Sequence, residues 1–281
     1  TTASDPLTLT WHPVSDPPVI EWNPNGATGV ADARVYEDGT VNVPFKVTLD
    51  DNGSGNEILT ATITGIPADS GFSAPVGTYN AAAGTWTVTL NGGQDLDTTI
   101  TFAPGANSDV DISGLQVTAT ATEPSTNTTA TANETVNVIV DAVADDVNLT
   151  AQNATGNEND AIDLDITAAL TDTDGSEVIS EVIISGVPAG STLTAGTQLS
   201  PGVWKLTGAD LNNLQINASN TSSGTHTLNV RVVSNETVTD GEFNLNNNSK
   251  ETTTTGGDIP CTGFVGVVTA LVPSPADLKK S

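Results

Sequence analysis

Apolar and polar residues alternate in short runs along most of the chain. The runs in the first half are VNVPFKVTL, ILTATITGI, TWTVTLNG, LQVTATAT and ETVNVIV, and those in the second half are IDLDITAAL, VISEVIISGV, VWKLTG, HTLNVRVV and FNLN. Period-two runs bounded by Gly, Pro, Asn and Asp predict β-strands. No window sustains a helical period for more than about two turns. The pattern therefore predicts an all-β protein.

The two halves repeat one another. The sequence GIPA at Gly65 matches GVPA at Gly186, in a unit of about 120 residues. Further matched pairs, in the same order, are Glu37 and Glu158, Trp86 and Trp204, and Glu123 and Glu236. Several short strands per unit predict two tandem immunoglobulin-like or cadherin-like β-sandwiches. The matched tryptophans are predicted to anchor the two cores; the alternative is a surface platform for a ligand.

These patterns set the predicted boundaries. Residues 1–27 form an N-terminal strand-like arm, residues 28–142 the first sandwich, and residues 143–281 the second sandwich with an irregular C-terminal tail. The junction VIVDAVADD contains no Gly or Ser tract, so we expect a short linker rather than a flexible one.

Charge narrows the range of functions. Of 281 residues, 34 are acidic and seven are basic, giving a formal net charge of −27. Nucleic-acid binding needs clustered Lys and Arg, and an anionic membrane surface attracts the same residues, so neither partner is expected. No apolar run reaches the roughly 18 residues of a membrane-spanning helix, so no membrane insertion is expected. The single cysteine, Cys261, excludes an internal disulfide.

Acidic residues without basic neighbours recur at corresponding places in the two halves. They are Glu158 and then Asp172, Asp174 and Glu177 in the second half, and Glu37 and then Asp50, Asp51 and Glu57 in the first. Loops that follow alternate strands gather at one end of a sandwich, so we expect Glu158 to meet the loop DTDGSE there. Calcium takes six to eight oxygen ligands, so the sequence predicts Ca²⁺ sites, although the spacing is not that of an EF-hand. The alternative is that these residues serve only as turn formers.

The run LTDTDGSEVISEVIISGVPAGSTLTAGTQLSPGVWKLTGADLNNLQI, preceded by VIVDAVAD, resembles the extender repeats of large RTX-type bacterial adhesins exported by type I secretion. The resemblance is close over about residues 140–245 and weaker over 28–140. It implies an extracellular, cell-surface location, calcium that stiffens a rod, and a role in adhesion or biofilm. The ligand candidates that it supports are Asp145, Glu158, Asp172, Asp174 and Glu177. The first half departs from the pattern because its loop, DDNGSGNE, is longer.

Two segments do not fit the repeat. In the arm, Leu7, Leu9 and Trp11 alternate with polar residues, which is a strand pattern. In the tail, the apolar run FVGVVTALV arrives later than the repeat requires. Either this run closes the second sandwich late, or the sandwich lacks its last strand and the arm of another chain completes it by strand addition. The remaining alternative is a mobile arm and a self-completed domain.

Enzymatic motifs are missing from the sequence. It contains no GxSxG elbow, no HExxH and no P-loop, and its two histidines fall in different predicted domains. We therefore expect an extracellular structural or adhesin module whose partners are neighbouring repeats or identical subunits. A host or surface ligand is a further possible partner. The competing functions are a ligand-binding adhesin tip and a subunit of a self-assembling fibre or pilus joined by donor-strand addition.

Overall fold

The predicted all-β class is confirmed in a computed structural model of the chain. It describes residues 7–23, 26, 29, 31–50, 56–220, 224–237, 244, 246–255, 265–267 and 269–270. The chain divides into two compact units, the first ending at Asp141 and the second beginning at Ala142. The elements whose bounds the structure gives are strands and a 3₁₀ helix, Gly208–Leu211. None of the described helical residues forms a helix suited to crossing a membrane.

Unit 1 is a sandwich of two sheets. One sheet has the order β1-β3-β8-β5 and the other β2-β10-β9-β4-β7-β6. The strands are β1 (Val19–Trp22), β2 (Ala33–Tyr36), β3 (Val41–Thr48), β4 (Ile58–Thr64), β5 (Gly71–Ser73), β6 (Thr78–Asn80), β7 (Thr85–Leu90), β8 (Leu96–Ala103), β9 (Ile112–Glu123) and β10 (Thr128–Asp141).

The core of unit 1 lies between these sheets. Period-two alternation sends one face of each strand inward, as in β3, where the side chains of Val43, Phe45 and Val47 are fully buried. Phe45 packs edge-on against Trp86 of the other sheet, with ring centroids 6.1 Å apart. The Trp86 Nε1–H donates to the carbonyl of Val76 at 3.0 Å. Aromatic rings thus join the two layers.

Threonines cover the outer face of the six-stranded sheet. Thr60 and Thr62 of β4 lie opposite Thr89 and Thr87 of β7, and the hydroxyl oxygens of each pair are 3.3 Å apart. β-branched threonine suits a half-exposed pleated surface, and cross-strand pairs of this kind stabilise a sheet. This explains why a chain with few large apolar residues forms long strands.

Unit 2 repeats the arrangement with shorter, more divided sheets. Its six-stranded sheet has the order β17-β18-β15-β21-β22-β24, and three small sheets have the orders β13-β19-β16, β11-β14 and β12-β23-β20. The strands are β11 (Val147–Ala151), β12 (Ala154–Thr155), β13 (Ala161–Asp163), β14 (Ile166–Leu170), β15 (Glu177–Ser185), β16 (Thr192–Leu193), β17 (Thr197–Ser200), β18 (Val203–Leu206), β19 (Gln215–Asn217), β20 (Thr225–Thr227), β21 (Asn229–Glu236), β22 (Ser249–Thr255), β23 (Val265–Val267) and β24 (Thr269–Ala270).

The predicted core tryptophans are confirmed. Trp86 is 1% exposed and Trp204 is 8% exposed, each in the hydrophobic core of its own unit. Corresponding strands carry them, since β7 pairs with β4 and β18 pairs with β15. Gly65 and Gly186 also match in structure: both have a positive φ, of 88° and 86°.

Two sequence assignments differ from the structure. Strand β1 lies inside the segment assigned to the arm, because it pairs with β3 and sends Trp22 into the core. The run FNLN is not a strand at its described positions, Asn244 and Asn246; instead β22, with the sequence SKETTTT, pairs with β21. A threonine tract without apolar alternation gives no period-two signal, although its β-propensity is high.

Candidate metal centre

The loop between β14 and β15 is shaped by its own acidic residues. An oxygen of Asp172 accepts a hydrogen bond from the Asp174 N–H at 2.9 Å, and an oxygen of Asp174 accepts one from the Ser176 N–H at 2.8 Å. These are Asx turns, in which a side-chain oxygen takes the place of a backbone acceptor. The side chain of Asp172 is 2% exposed, whereas Asp174 is exposed. Turn formation therefore explains part of the acidic motif, but it does not explain why Asp172 is buried.

Glu177, the first residue of β15, occupies the base of this loop and is also buried, at 4% exposure. Its Oε1 accepts a hydrogen bond from the backbone N–H of Asp145. Its Oε2 accepts none from any described residue. A buried carboxylate oxygen without a donor is costly, because it has lost its hydration without replacement.

Electrostatics at Glu177 reflect this arrangement. Burial raises the pKa of the Glu177 carboxyl above its ordinary value, and repulsion from Asp145 and Asp172 adds to the rise. The Asp145 N–H and the Ser234 hydroxyl act in the opposite direction and lower this pKa. Because the net shift is upward, the ionised form is disfavoured in the folded unit. A cation bound beside Glu177 would reverse that preference.

Strand β21 brings a further carboxylate to the same place. Glu236, at the end of β21, lies directly opposite Glu177 in the register of the antiparallel pair. Ser234, two residues earlier, is fully buried and donates its hydroxyl hydrogen to the carbonyl of Asp145 at 2.7 Å. The cluster in unit 2 therefore comprises Asp145, Asp172, Glu177 and Glu236, with Asp174 in the adjoining turn.

Glu158 does not join this cluster within unit 2. Its turn follows β12, and the next residue, Asn159, donates its N–H to the carbonyl of Ala218 beyond β19. Between Glu158 and Asp172 the chain passes along β13 and then β14. The expectation that Glu158 meets the loop DTDGSE is wrong for this unit. In the antiparallel pair of β11 and β14, Val147 lies opposite Leu170 at the end near Asp172, and Ala151 lies opposite Ile166 at the other end, from which the chain continues to β12 and Glu158.

Unit 1 builds a related pair of buried acids. Glu57 immediately precedes β4 and is 1% exposed, and Glu123 ends β9 and is 2% exposed. Their neighbours Ile58 and Thr122 are register partners, so the two glutamates lie at the same end of adjacent strands. Glu123 Oε1 accepts the Ser125 N–H at 2.9 Å. The pair corresponds to Glu177 and Glu236 in unit 2.

The other predicted residues of unit 1 are divided between its two ends. Asp50 is exposed and follows β3, on the side of Glu57. Glu37 lies at the opposite end, where its N–H donates to the carbonyl of Asp141 at 2.9 Å, at the end of β10. Asp51, also predicted as a ligand, and Cys261 lie outside the described residues. Unit 1 therefore does not bring Glu37 to Glu57.

Sequence reasoning missed Glu123 and Glu236 as members of acidic clusters. Both were visible only as matched positions of the repeat, at the ends of the runs LQVTATATE and NVRVVSNE. A carboxylate placed where a strand should send an apolar side chain inward is the signal that identifies them.

The chain has distant structural likeness to several solved proteins. No protein-family model matches the sequence, and no curated protein matches it. Among solved structures, the YadV chaperone aligns at 12% identity with a TM-score of 0.24, over 86% of this chain and 99% of that chain. The major pilin subunit BcpA of Bacillus cereus aligns at 12% identity with a TM-score of 0.36, over 92% of this chain and 71% of that one. A 35 kDa C-terminal fragment of the major pilin GBS80 of Streptococcus agalactiae aligns at 10% identity with a TM-score of 0.33, over 85% and 91%. At these scores the likeness carries no argument about function.

Proposed function

We propose that this chain is an extracellular structural module of a cell-surface adhesin or fibre, and that calcium bound beside Glu177 stabilises its second unit. The observation that carries the proposal is the buried Glu177 carboxylate, whose Oε2 has no donor among the described residues while Asp145 and Asp172 repel it. A hard cation with oxygen ligands offsets this repulsion and takes up the vacant acceptor.

The composition supports a structural rather than a catalytic role. Strands and their cores account for most of the described residues, and aromatic side chains are used to join sheets inside unit 1. The net charge of −27 keeps such a chain soluble and favours cations over nucleic acid. Localisation at a cell surface and a role in adhesion rest on the resemblance described above.

The proposal is tested by thermal unfolding with calcium and with EDTA. A ligand at about a thousand times its dissociation constant stabilises the folded state by about 4 kcal/mol, so unit 2 of the parent protein should melt markedly higher with calcium. Glu177→Gln removes the charge at the base of the loop. We expect this variant to lose the calcium shift and to exceed the parent in stability when calcium is removed at pH 7.

Two control variants separate metal binding from turn formation. Asp172→Asn keeps the ability to form the Asx turn but removes a charge, so it should fold and lose calcium affinity. Glu158→Gln alters a residue that lies away from the cluster in unit 2 and should leave the calcium shift intact. If the parent melts identically in calcium and EDTA, the acidic residues are turn formers and the calcium proposal fails.

A further inference from the structure

The last strand of unit 1 shows how this sandwich is closed. Strand β10 pairs with β9 from Thr128 to Val138, and its final residues, Val138–Asp141, also pair in parallel with β2. Val136, Val138 and Val140 of β10 are buried in the core. A complete unit therefore has a strand between β2 and β9 that supplies apolar side chains at every second position.

Unit 2 is closed differently at the corresponding place. Its β22 covers seven described residues against 14 for β10, and the last of them, Thr255, lies opposite Asn229. Strand β20, which precedes Asn229, is paired instead with the three-residue strand β23, which also pairs with β12. In unit 1 the closing strand is antiparallel to β9 and parallel to β2, whereas β23 is parallel to β20 and antiparallel to β12. The closing position of unit 2 thus holds a short strand of reversed direction.

The correspondence of these strands rests on the repeat. Ala33 begins β2 and Ala154 begins β12, at the spacing that also relates Glu37 to Glu158. A Cβ on Gly65 would lie nearest the Gly114 carbonyl of β9, and one on Gly186 nearest the Thr227 carbonyl of β20. Strands β12 and β20 therefore flank the same position in unit 2 that β2 and the start of β9 flank in unit 1.

The arm has the side-chain pattern that this position requires. Leu7, Leu9 and Trp11 are 95%, 69% and 84% exposed, and they follow one another at every second residue, as the three buried valines of β10 do. Described hydrogen bonds hold the arm to unit 1 only from Pro13 and Ser15 onward, through Thr126 and Thr128. Residues 7–11 have no regular structure and form an exposed segment of alternating apolar residues outside the core of their own unit. An unpaired segment that can form a strand is a site of association.

Charge also favours this pairing. Residues 7–11 of the arm carry no formal charge, and neither do Ala154–Thr155 of β12 nor Thr225–Thr227 of β20 at pH 7. In a chain of net charge −27, copies approach one another most readily through uncharged segments. The uncharged arm and the uncharged strands of unit 2 are therefore suited to meet.

We propose that residues 7–11 of one copy insert between β12 and β20 of unit 2 of a second copy, antiparallel to β20, and replace β23. Leu7, Leu9 and Trp11 then take the places that valines of β10 hold in unit 1, and main-chain hydrogen bonds to β20 supply much of the affinity. The contact is heterologous, so repeated additions build a filament when the rotation does not close. This inference extends the structural role proposed above and does not require the cation at Glu177.

The test is assembly after refolding at high protein concentration, followed by light scattering and electron microscopy. Refolding lets an arm compete with β23 before either is fixed. The parent should form filaments, and Leu9→Asp should lower the extent of assembly at least about tenfold, because it would bury an unpaired charge. Thr10→Asp adds the same charge to the opposite face of the strand and should assemble like the parent.

A mixing experiment tests the direction of the contact. Thr155→Pro removes a backbone hydrogen-bond donor from β12 and should also abolish filaments. Circular dichroism and the presence of two unfolding transitions check that Leu9→Asp and Thr155→Pro are folded. Mixing Leu9→Asp with Thr155→Pro should yield dimers that grow no further, since one copy keeps the arm and the other keeps the acceptor. A parent that stays monomeric after refolding, or a Leu9→Asp variant that assembles like Thr10→Asp, overturns the inference. The calcium shift in melting is read on the same samples, so the failure of either proposal is distinguishable from the other.

Discussion

Truncation of the two core tryptophans should destabilise the units to different extents. Trp86 is 1% exposed, its Nε1–H donates to the Val76 carbonyl at 3.0 Å, and it packs edge-on against Phe45. Trp204 is 8% exposed, and its Nε1 has no partner among the described residues. The indole of Trp86 therefore makes contacts that the indole of Trp204 does not.

The expected magnitudes follow from these contacts. Removing a buried aromatic side chain costs about 3–5 kcal/mol. The hydrogen bond of Trp86 is worth about 1 kcal/mol and its edge-to-face pair about 0.5–1.5 kcal/mol, which places Trp86→Ala near the upper limit. Trp204→Ala should fall near about 3 kcal/mol. At about 4 °C per kcal/mol for units of this size, the melting temperatures should fall by about 20 °C and about 12 °C.

Substitution by phenylalanine isolates the contribution of the indole N–H. Trp86→Phe loses a satisfied hydrogen bond, whereas Trp204→Phe removes a buried donor without a partner, so the first should cost about 1 kcal/mol more than the second. Calorimetry resolves the transitions of the two units, and guanidinium unfolding gives the free energies. Equal costs for the two alanine variants, or a cost below about 1 kcal/mol for either, would refute the assignment of these side chains as unequal core anchors.

Three further predictions concern unit 2. Burial raises the pKa of Glu177. The stability that its carboxyl contributes is therefore present below the ordinary glutamate pKa of about 4.3 and is lost as the pH rises through the pKa of the folded state. In calcium-free unfolding measured against pH, Glu177→Gln should remove this loss. The pKa of Glu181 is lowered, chiefly by its hydrogen bond to Lys205, so its contribution is lost as the pH falls; Glu181→Gln should cost about 0.5–1 kcal/mol at pH 7 and less in high salt. Gly186→Ala would place a Cβ 2.2 Å from the Thr227 carbonyl oxygen, whereas at Gly65 the nearest atom is 3.8 Å away, so Gly186→Ala should lower the melting temperature of its unit much more than Gly65→Ala does.

Alternation and repeat together predicted much of the fold. The run VNVPFKVTL forms β3, whose buried face is apolar and whose other face carries Asn42, Pro44, Lys46 and Thr48. The repeat matched Trp86 to Trp204, and both indoles are buried on corresponding strands of their units. Strand β22 was not predicted, since the sequence SKETTTT carries no apolar face and forms through its pairing with β21.

The candidate site was predicted less completely. The sequence DTDGSE identified the acidic loop, and the structure added that Asp172 and Glu177 are buried in it. The predicted placement of Glu158 was wrong because β13 and β14 are separated by only two residues and pair with different strands, β19 and β11, so they are not the up-and-down pair of strands that the rule about loop ends assumes. Glu236 was not predicted as a member of the cluster, because its position beside Glu177 depends on the register of β15 with β21, which sequence spacing alone does not fix.

The parallel pairing of β2 with β10 has a mechanical consequence for unit 1. Tension carried along the chain acts on these two strands in opposite directions, and because they run side by side and parallel, their hydrogen bonds lie across the pull and must yield together. In unit 2, β12 and β23 are antiparallel and joined over two residue pairs in the described part of the chain, so a pull opens them one pair at a time. Forced unfolding is governed by the rate of crossing such barriers, so the second unit should give way at the lower force. An inserted arm antiparallel to β20 would lie parallel to β12 and restore the shear geometry, so stretching would load the hydrogen bonds of the joint between copies together rather than one pair at a time.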